Sequence, residues 1–162
     1  MKILGLDIST KSTGWFLSKK AFGIISPPQE LSFSQKLSWF RSELLVVLEK
    51  HKPDIAIIED AYYRPGFGNI HTLKTLVKFA GVALEACATL GIETEVITAT
   101  TARKYCCGKQ ETPLKKPGVF KYFVEKYKLD WKFDKMNDVT DAMTLAWGYR
   151  GIKRDEKTST KK

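Results

Sequence analysis

The stretch MKILGLDISTKSTGW, residues 1–15, constrains the fold more than any other part of the chain. Ile3, Leu4, Gly5 and Leu6 make a short apolar run that ends in Asp7, and a turn rich in Ser and Thr follows. A run that is apolar on both faces belongs inside a sheet, where an unanswered charge is costly. Two roles for Asp7 are open at this point. It can cap the turn by accepting from the backbone of Ser9 or Thr10, or it can hold a metal ion.

The rest of the chain supplies an α/β pattern. Residues 14–18 and 21–26 read as two more strands, joined through Lys19-Lys20, a link so short that the three strands form an antiparallel meander. Pro27-Pro28 ends the third strand. Phe33, Leu37, Phe40, Leu44 and Val47 recur at helical spacing and predict an amphipathic helix over 32–50. Ile55-Ala56-Ile57-Ile58 is a second doubly apolar run, ending in Glu59-Asp60, and reads as a central strand parallel to the first. After a loop rich in Gly, Pro and aromatics over 61–71, a helix is expected over 72–90. Leu73, Leu76, Val77, Ala80, Ala83, Leu84 and Cys87 face inward on it, with Gly91 at its end. A strand over 93–98 precedes a short helix capped by Thr100 or Thr101 and reaching Cys107. The basic loop 108–116 leads into a helix opened by Pro117. A last helix is expected from Asn137, a good N-cap, to Tyr149 or Arg150. The expected organisation is one domain over 1–152 with a basic, disordered tail over 153–162.

At 162 residues with 43% hydrophobic content, the chain suits a single core. Its net charge of +9 points to a polyanionic partner, and 12% aromatics provide flat side chains for stacking. The three cysteines are odd in number, two are adjacent, and none has metal-ligand spacing, which implies reduced thiols in the cytoplasm. The chain enters its first strand without a charged leader. No apolar run approaches the roughly 18 residues a membrane span needs, so no membrane partner is expected.

Asp138 and Asp141 are three apart and share one face of the last helix. Taken alone, the pair is ordinary helix N-terminal chemistry. Together with Asp7 and Glu59 it makes four carboxylates, because ligands of open α/β sheets gather at the carboxyl ends of neighbouring strands. Converging acids require cations. Hard oxygen donors without a Cys/His set suit Mg²⁺ or Mn²⁺, and two such ions about 3.5–4 Å apart serve in-line attack on a phosphodiester. Asp7 is the natural bridge between two ions.

Three segments carry a resemblance to a known family. GLDISTKSTGW (5–15), IIEDAYY (57–63) and NDVTDAMTLAWG (137–148) resemble, in order and spacing, the motifs of the RuvC branch of the ribonuclease-H-like superfamily, the Holliday-junction resolvases. The resemblance implies a ribonuclease-H-like fold, with a mixed five-stranded sheet of antiparallel meander plus parallel strands, flanked by helices. It also implies a homodimeric endonuclease that nicks four-way DNA junctions symmetrically, using two Mg²⁺ or Mn²⁺ ions per site. Carried over, Asp7, Glu59, Asp138 and Asp141 are metal ligands, and Lys116 lies near the scissile phosphate. Tyr62 stacks at the junction centre, worth roughly 1–3 kcal/mol, with Tyr63 or Phe67 as substitutes. Beside these carried-over roles, Arg64, Lys74 and Lys115 are candidate DNA contacts by charge and place in the sequence, and His71 and Lys78 are placed to meet phosphates on the same side as Lys74. Asp138 departs from the His common in bacterial members, the insert RPGFGN (64–69) departs from their pattern, and the opening motif resembles phage-type members. A nuclease for flaps and other branched DNA, or a non-catalytic DNA-binding module on the same fold, stays open.

Overall fold

The computed structural model describes residues 1–60 and 69–160. Among these, five strands and five helices follow in the order β1 (Ile3–Asp7), β2 (Thr13–Ser18), β3 (Ala21–Ile25), α1 (Phe33–His51), β4 (Ile55–Glu59), α2 (Ile70–Thr89), β5 (Glu93–Ile97), α3 (Ala99–Cys106), α4 (Lys116–Tyr127) and α5 (Phe133–Ser159). The sheet order is β3-β2-β1-β4-β5. β1, β2 and β3 pair antiparallel, whereas β4 and β5 run parallel to β1. This is the mixed sheet the sequence predicts.

The alternation of side chains along a strand assigns the two faces. Leu4, Leu6, Ala56 and Ile58 pack with Phe40, Leu44, Leu48, Phe79 and Ala83 beneath α1 and α2. Ile3, Ile55 and Ile57 pack with Val139, Met143 and Phe123 beneath α5 and α4. Gly5 and Gly14 set how closely α5 lies on its face. A methyl on Gly5 would overlap the Ala142 carbonyl, and one on Gly14 would overlap the Asp138 carbonyl. The helix backbone therefore rests directly on β1 and β2, bringing its second and third turns to the strand ends.

Several boundaries differ from the sequence expectations. Helix α3 is capped by Thr98, whose side chain accepts from the backbone N of Thr101, and not by Thr100 or Thr101. In α2 the buried set is Phe79, Ala83, Ala86 and Cys87, while Val77 and Leu84 are exposed. That helix is apolar around much of its circumference, so composition did not reveal which stripe meets the sheet. Helix α5 begins at Phe133, a turn before Asn137, because Phe133 packs edge-on against Phe120 with ring centroids 5.2 Å apart. It also continues through the segment expected to be a disordered tail, ending at Ser159. Lys109 and Lys153 reach carboxylates on or beside that last stretch, pairing with Asp155 at 2.9 Å and Glu156 at 3.2 Å.

Candidate active site

β1 and β4 pair with Leu6 opposite Ile58, so Asp7 and Glu59 follow side by side at the carboxyl ends of adjacent parallel strands. Both fall in the alternation that faces α5. The turn after Asp7 is closed by Thr13, whose hydroxyl donates to the Ser9 carbonyl and accepts from the Ser9 amide, each at 3.2 Å. The Asp7 carboxyl is therefore not spent on capping that turn.

Above the pair, α5 brings down Asp141, which is 8% exposed. The Lys116 ammonium, at the first residue of α4, donates to Asp141 Oδ2. Burial is the largest influence on Lys116 and opposes its charge, but Asp141, Asp7 and Glu59 outweigh it and hold the amine above its ordinary pKa. Asp7 shows the opposite balance. Burial, then the charges of Glu59 and Asp141, push it from 3.8 up to about 9. Asp7, Glu59 and Asp141 are thus near enough to act on one another and on Lys116.

Asp138 has a hydrogen-bond partner of its own. Its Oδ2 accepts from Ser12 Oγ at 2.5 Å, which ties the turn after β1 to α5. Asp138 and Asp141 sit in the second and third turns of α5 and not in its first, because the helix starts early. Ser12 is the residue that sequence reasoning missed. It lies within the opening motif, but its partner is 126 residues away. Ser12→Ala is expected to free the Asp138 carboxylate and to cost about 1.5–3 kcal/mol, the worth of a hydrogen bond to a charged group. At about 2–4 °C per kcal/mol, a melting temperature lower by roughly 3–12 °C checks this.

The donor set fits a hard divalent cation, since each donor is a carboxylate oxygen and the acids outnumber the local cation. Among the described residues, no group of three or more His, Cys, Asp or Glu side chains closes on a common point as the side chains stand. Lys116 supplies positive charge at the cluster through its pair with Asp141. Lys115 is exposed at the N-cap of α4, with no side-chain cap bond. Lys74 is exposed on α2, and Lys78 lies over the Phe33 ring at 5.2 Å. Tyr62, Tyr63, Arg64 and Phe67 lie outside the described residues. No helix among the described residues is long and apolar enough to cross a membrane.

No family model matches the chain. Curated relatives do. The crossover junction endodeoxyribonuclease RuvC of Xanthobacter autotrophicus is 32% identical over 116 residues, covering 67% of each chain. The protein of the same description from Nitratidesulfovibrio vulgaris is 25% identical over 139 residues, covering 82% of each. Among solved structures, T. thermophilus RuvC in complex with Holliday junction substrate superposes with a TM-score of 0.78 at 12% identity, covering 96% of both chains. That likeness shows the ribonuclease-H-like fold.

Proposed function

The chain belongs to the RuvC family of crossover junction endodeoxyribonucleases, and from that premise we propose that the cluster at the ends of β1 and β4 is the centre with which it resolves Holliday junctions. The observation that carries this reading is the parallel pairing of β1 with β4, which sets Asp7 and Glu59 side by side, together with the Asp141–Lys116 ion pair on the helices over those strand ends. A buried group of acids that can ionise fully only beside added positive charge suits chemistry on a phosphodiester.

Asp7, Glu59 and Asp141 would hold Mg²⁺ or Mn²⁺, two ions per centre, with Asp138 oriented for the same task by Ser12. Bound there, such ions activate water and neutralise charge at the departing 3′ oxygen. Lys116 is half-exposed at 48%, so its ammonium can leave Asp141 and turn to an incoming phosphate. Lys115 and Lys74 would guide the backbone, and Tyr62, Tyr63 and Arg64, which follow Glu59 closely in sequence, would meet the bases at the branch. The net charge of +9 supports a salt-sensitive grip on DNA. A four-way junction must be cut on two opposing strands, which a homodimer with two-fold symmetry does naturally. The setting is the cytoplasm, a reducing compartment in which disulfides are transient.

Lys116→Gln is expected to slow cleavage about a hundredfold, the scale of removing one preorganised donor to developing charge. Single-turnover rates at saturating enzyme check it, and an unaltered rate would remove Lys116 from the centre. The function as a whole is tested on an immobile four-way junction with each strand end-labelled in turn, alongside flap, duplex and RNA–DNA hybrid controls. Paired nicks at symmetric positions on opposing strands are expected. Cutting of flaps alone would make the protein a general branched-DNA nuclease, and junction binding without cleavage in Mg²⁺ or Mn²⁺ would leave a binding module.

A further inference from the structure

The adjacent cysteines lie away from the carboxylate cluster, and nothing in the function above uses them. Cys106 is the last residue of α3 and Cys107 its C-cap. Both thiols are free, and their sulfurs are 3.3 Å apart. Cys106 is buried, with 7% exposure, whereas Cys107 is half-buried. The Cys106 thiol and the Lys126 ammonium both favour the thiolate of Cys107, which sits below the ordinary thiol range despite partial burial. The same contact and burial push Cys106 up. Cys87 offers the contrast. It is sealed in the core under α2 and burial alone pushes it up to about 11, so it is inert. A partly exposed thiol with a second thiol 3.3 Å away is the arrangement of an oxidation-sensitive pair.

We propose that Cys106 and Cys107 form an oxidation site for hydroperoxides, which closes reversibly to a disulfide and loosens the segment 108–115 leading to Lys116. The Cys107 thiolate attacks the terminal peroxide oxygen. An S–O bond forms, the O–O bond breaks, and the alkoxide or hydroxide leaves with a proton from water. Sulfur is oxidised by two electrons and the peroxide is reduced. Cys106 sulfur then attacks the Cys107 sulfenic acid. The S–S bond forms, the S–O bond breaks, and hydroxide leaves with the Cys106 proton as water. Adjacent Cα atoms are about 3.8 Å apart across a trans peptide, shorter than the roughly 4.4–6.8 Å a relaxed disulfide spans. The ring therefore distorts the backbone at 106–107 and is readily reduced. That backbone anchors the following segment. The Cys107 carbonyl accepts from Gln110 Nε2 at 3.2 Å, and the Gln110 amide donates to the Lys104 carbonyl at 2.8 Å.

The test treats the full chain with hydrogen peroxide and counts thiols after denaturation. The count should fall from three to one, with a mass lower by two hydrogens in the peptide holding both cysteines, and dithiothreitol should restore it. Cys87→Ser should respond as wild type does. Cys106→Ser should instead leave a sulfenic acid at Cys107 that dimedone labels. Hydrogen exchange over 108–115 should quicken in the oxidised protein and return on reduction. The proposal is overturned if all three thiols survive, if they are lost by cross-linking between chains, or if a ring forms and exchange over 108–115 does not change. None of these readouts depends on junction cleavage.

Discussion

Replacing Asp7 by Asn should abolish junction cleavage while making the protein more stable when chelator is present. The loss of rate is expected to be at least about a thousandfold, because a ligand to the activating ions supplies several kcal/mol of transition-state stabilisation. The gain in stability comes from the same burial. Asp7 has its pKa raised from 3.8 to about 9 by burial and by Glu59 and Asp141. The folded chain therefore binds a proton that the unfolded chain has already released between those two values. Stability falls as pH rises wherever the folded state holds more protons. The destabilising contribution is absent below pH 3.8, grows through the window and is complete above about pH 9. Asparagine carries no charge to desolvate, so the melting temperature of Asp7→Asn in EDTA should exceed that of wild type, with a difference that widens from pH 5 to pH 9. Each kcal/mol recovered is worth about 2–4 °C in a chain of this size. Calorimetry across that range checks the sign. A difference independent of pH would mean the cluster holds no extra proton.

Gly5→Ala is the second large effect, and it acts through the fold. The added methyl would overlap the Ala142 carbonyl oxygen, which is helix backbone with no rotamer to yield. Helix α5 must lift from β1, opening the face packed by Ile57, Val139 and Met143 and drawing Asp141 away from Asp7 and Glu59. Overpacking of this kind costs about 3 kcal/mol, equivalent to a fall of roughly 6–12 °C. Cleavage should fall in parallel even at temperatures where the variant remains folded. Gly81→Ala is the control, because nothing lies within 4 Å of a methyl there, and alanine in a helix interior should stabilise slightly.

The strands that carry Asp7 and Glu59 are legible in the sequence for a physical reason. A short run apolar on both faces has one good home, a central strand, and an acid ending such a run stands out. Parallel pairing of the two runs then places the acids together. Helix α5 was less legible. Asn137 is a good cap by residue type, but contacts between Phe133 and Phe120 and between Trp131 and Phe22 fix where the helix begins. Its C-terminal continuation depends on ion pairs to Lys109 and within the helix, which a local reading of charged residues takes for disorder. The bond that holds Asp138 to Ser12 spans most of the chain, a distance over which sequence pattern carries no information.

The most direct measurement is Mn²⁺ titration of the wild-type chain and of Asp7→Asn, Glu59→Gln and Asp141→Asn, followed by calorimetry and by electron paramagnetic resonance of free Mn²⁺ at pH 8. Wild type should bind Mn²⁺ with release of the proton that Asp7 holds at that pH. Each substitution should weaken binding at least tenfold, and Asp7→Asn should also abolish the proton release. Binding of unchanged affinity in Asp7→Asn would contradict the account, since the cluster at the ends of β1 and β4 would then not be where the activating ions sit.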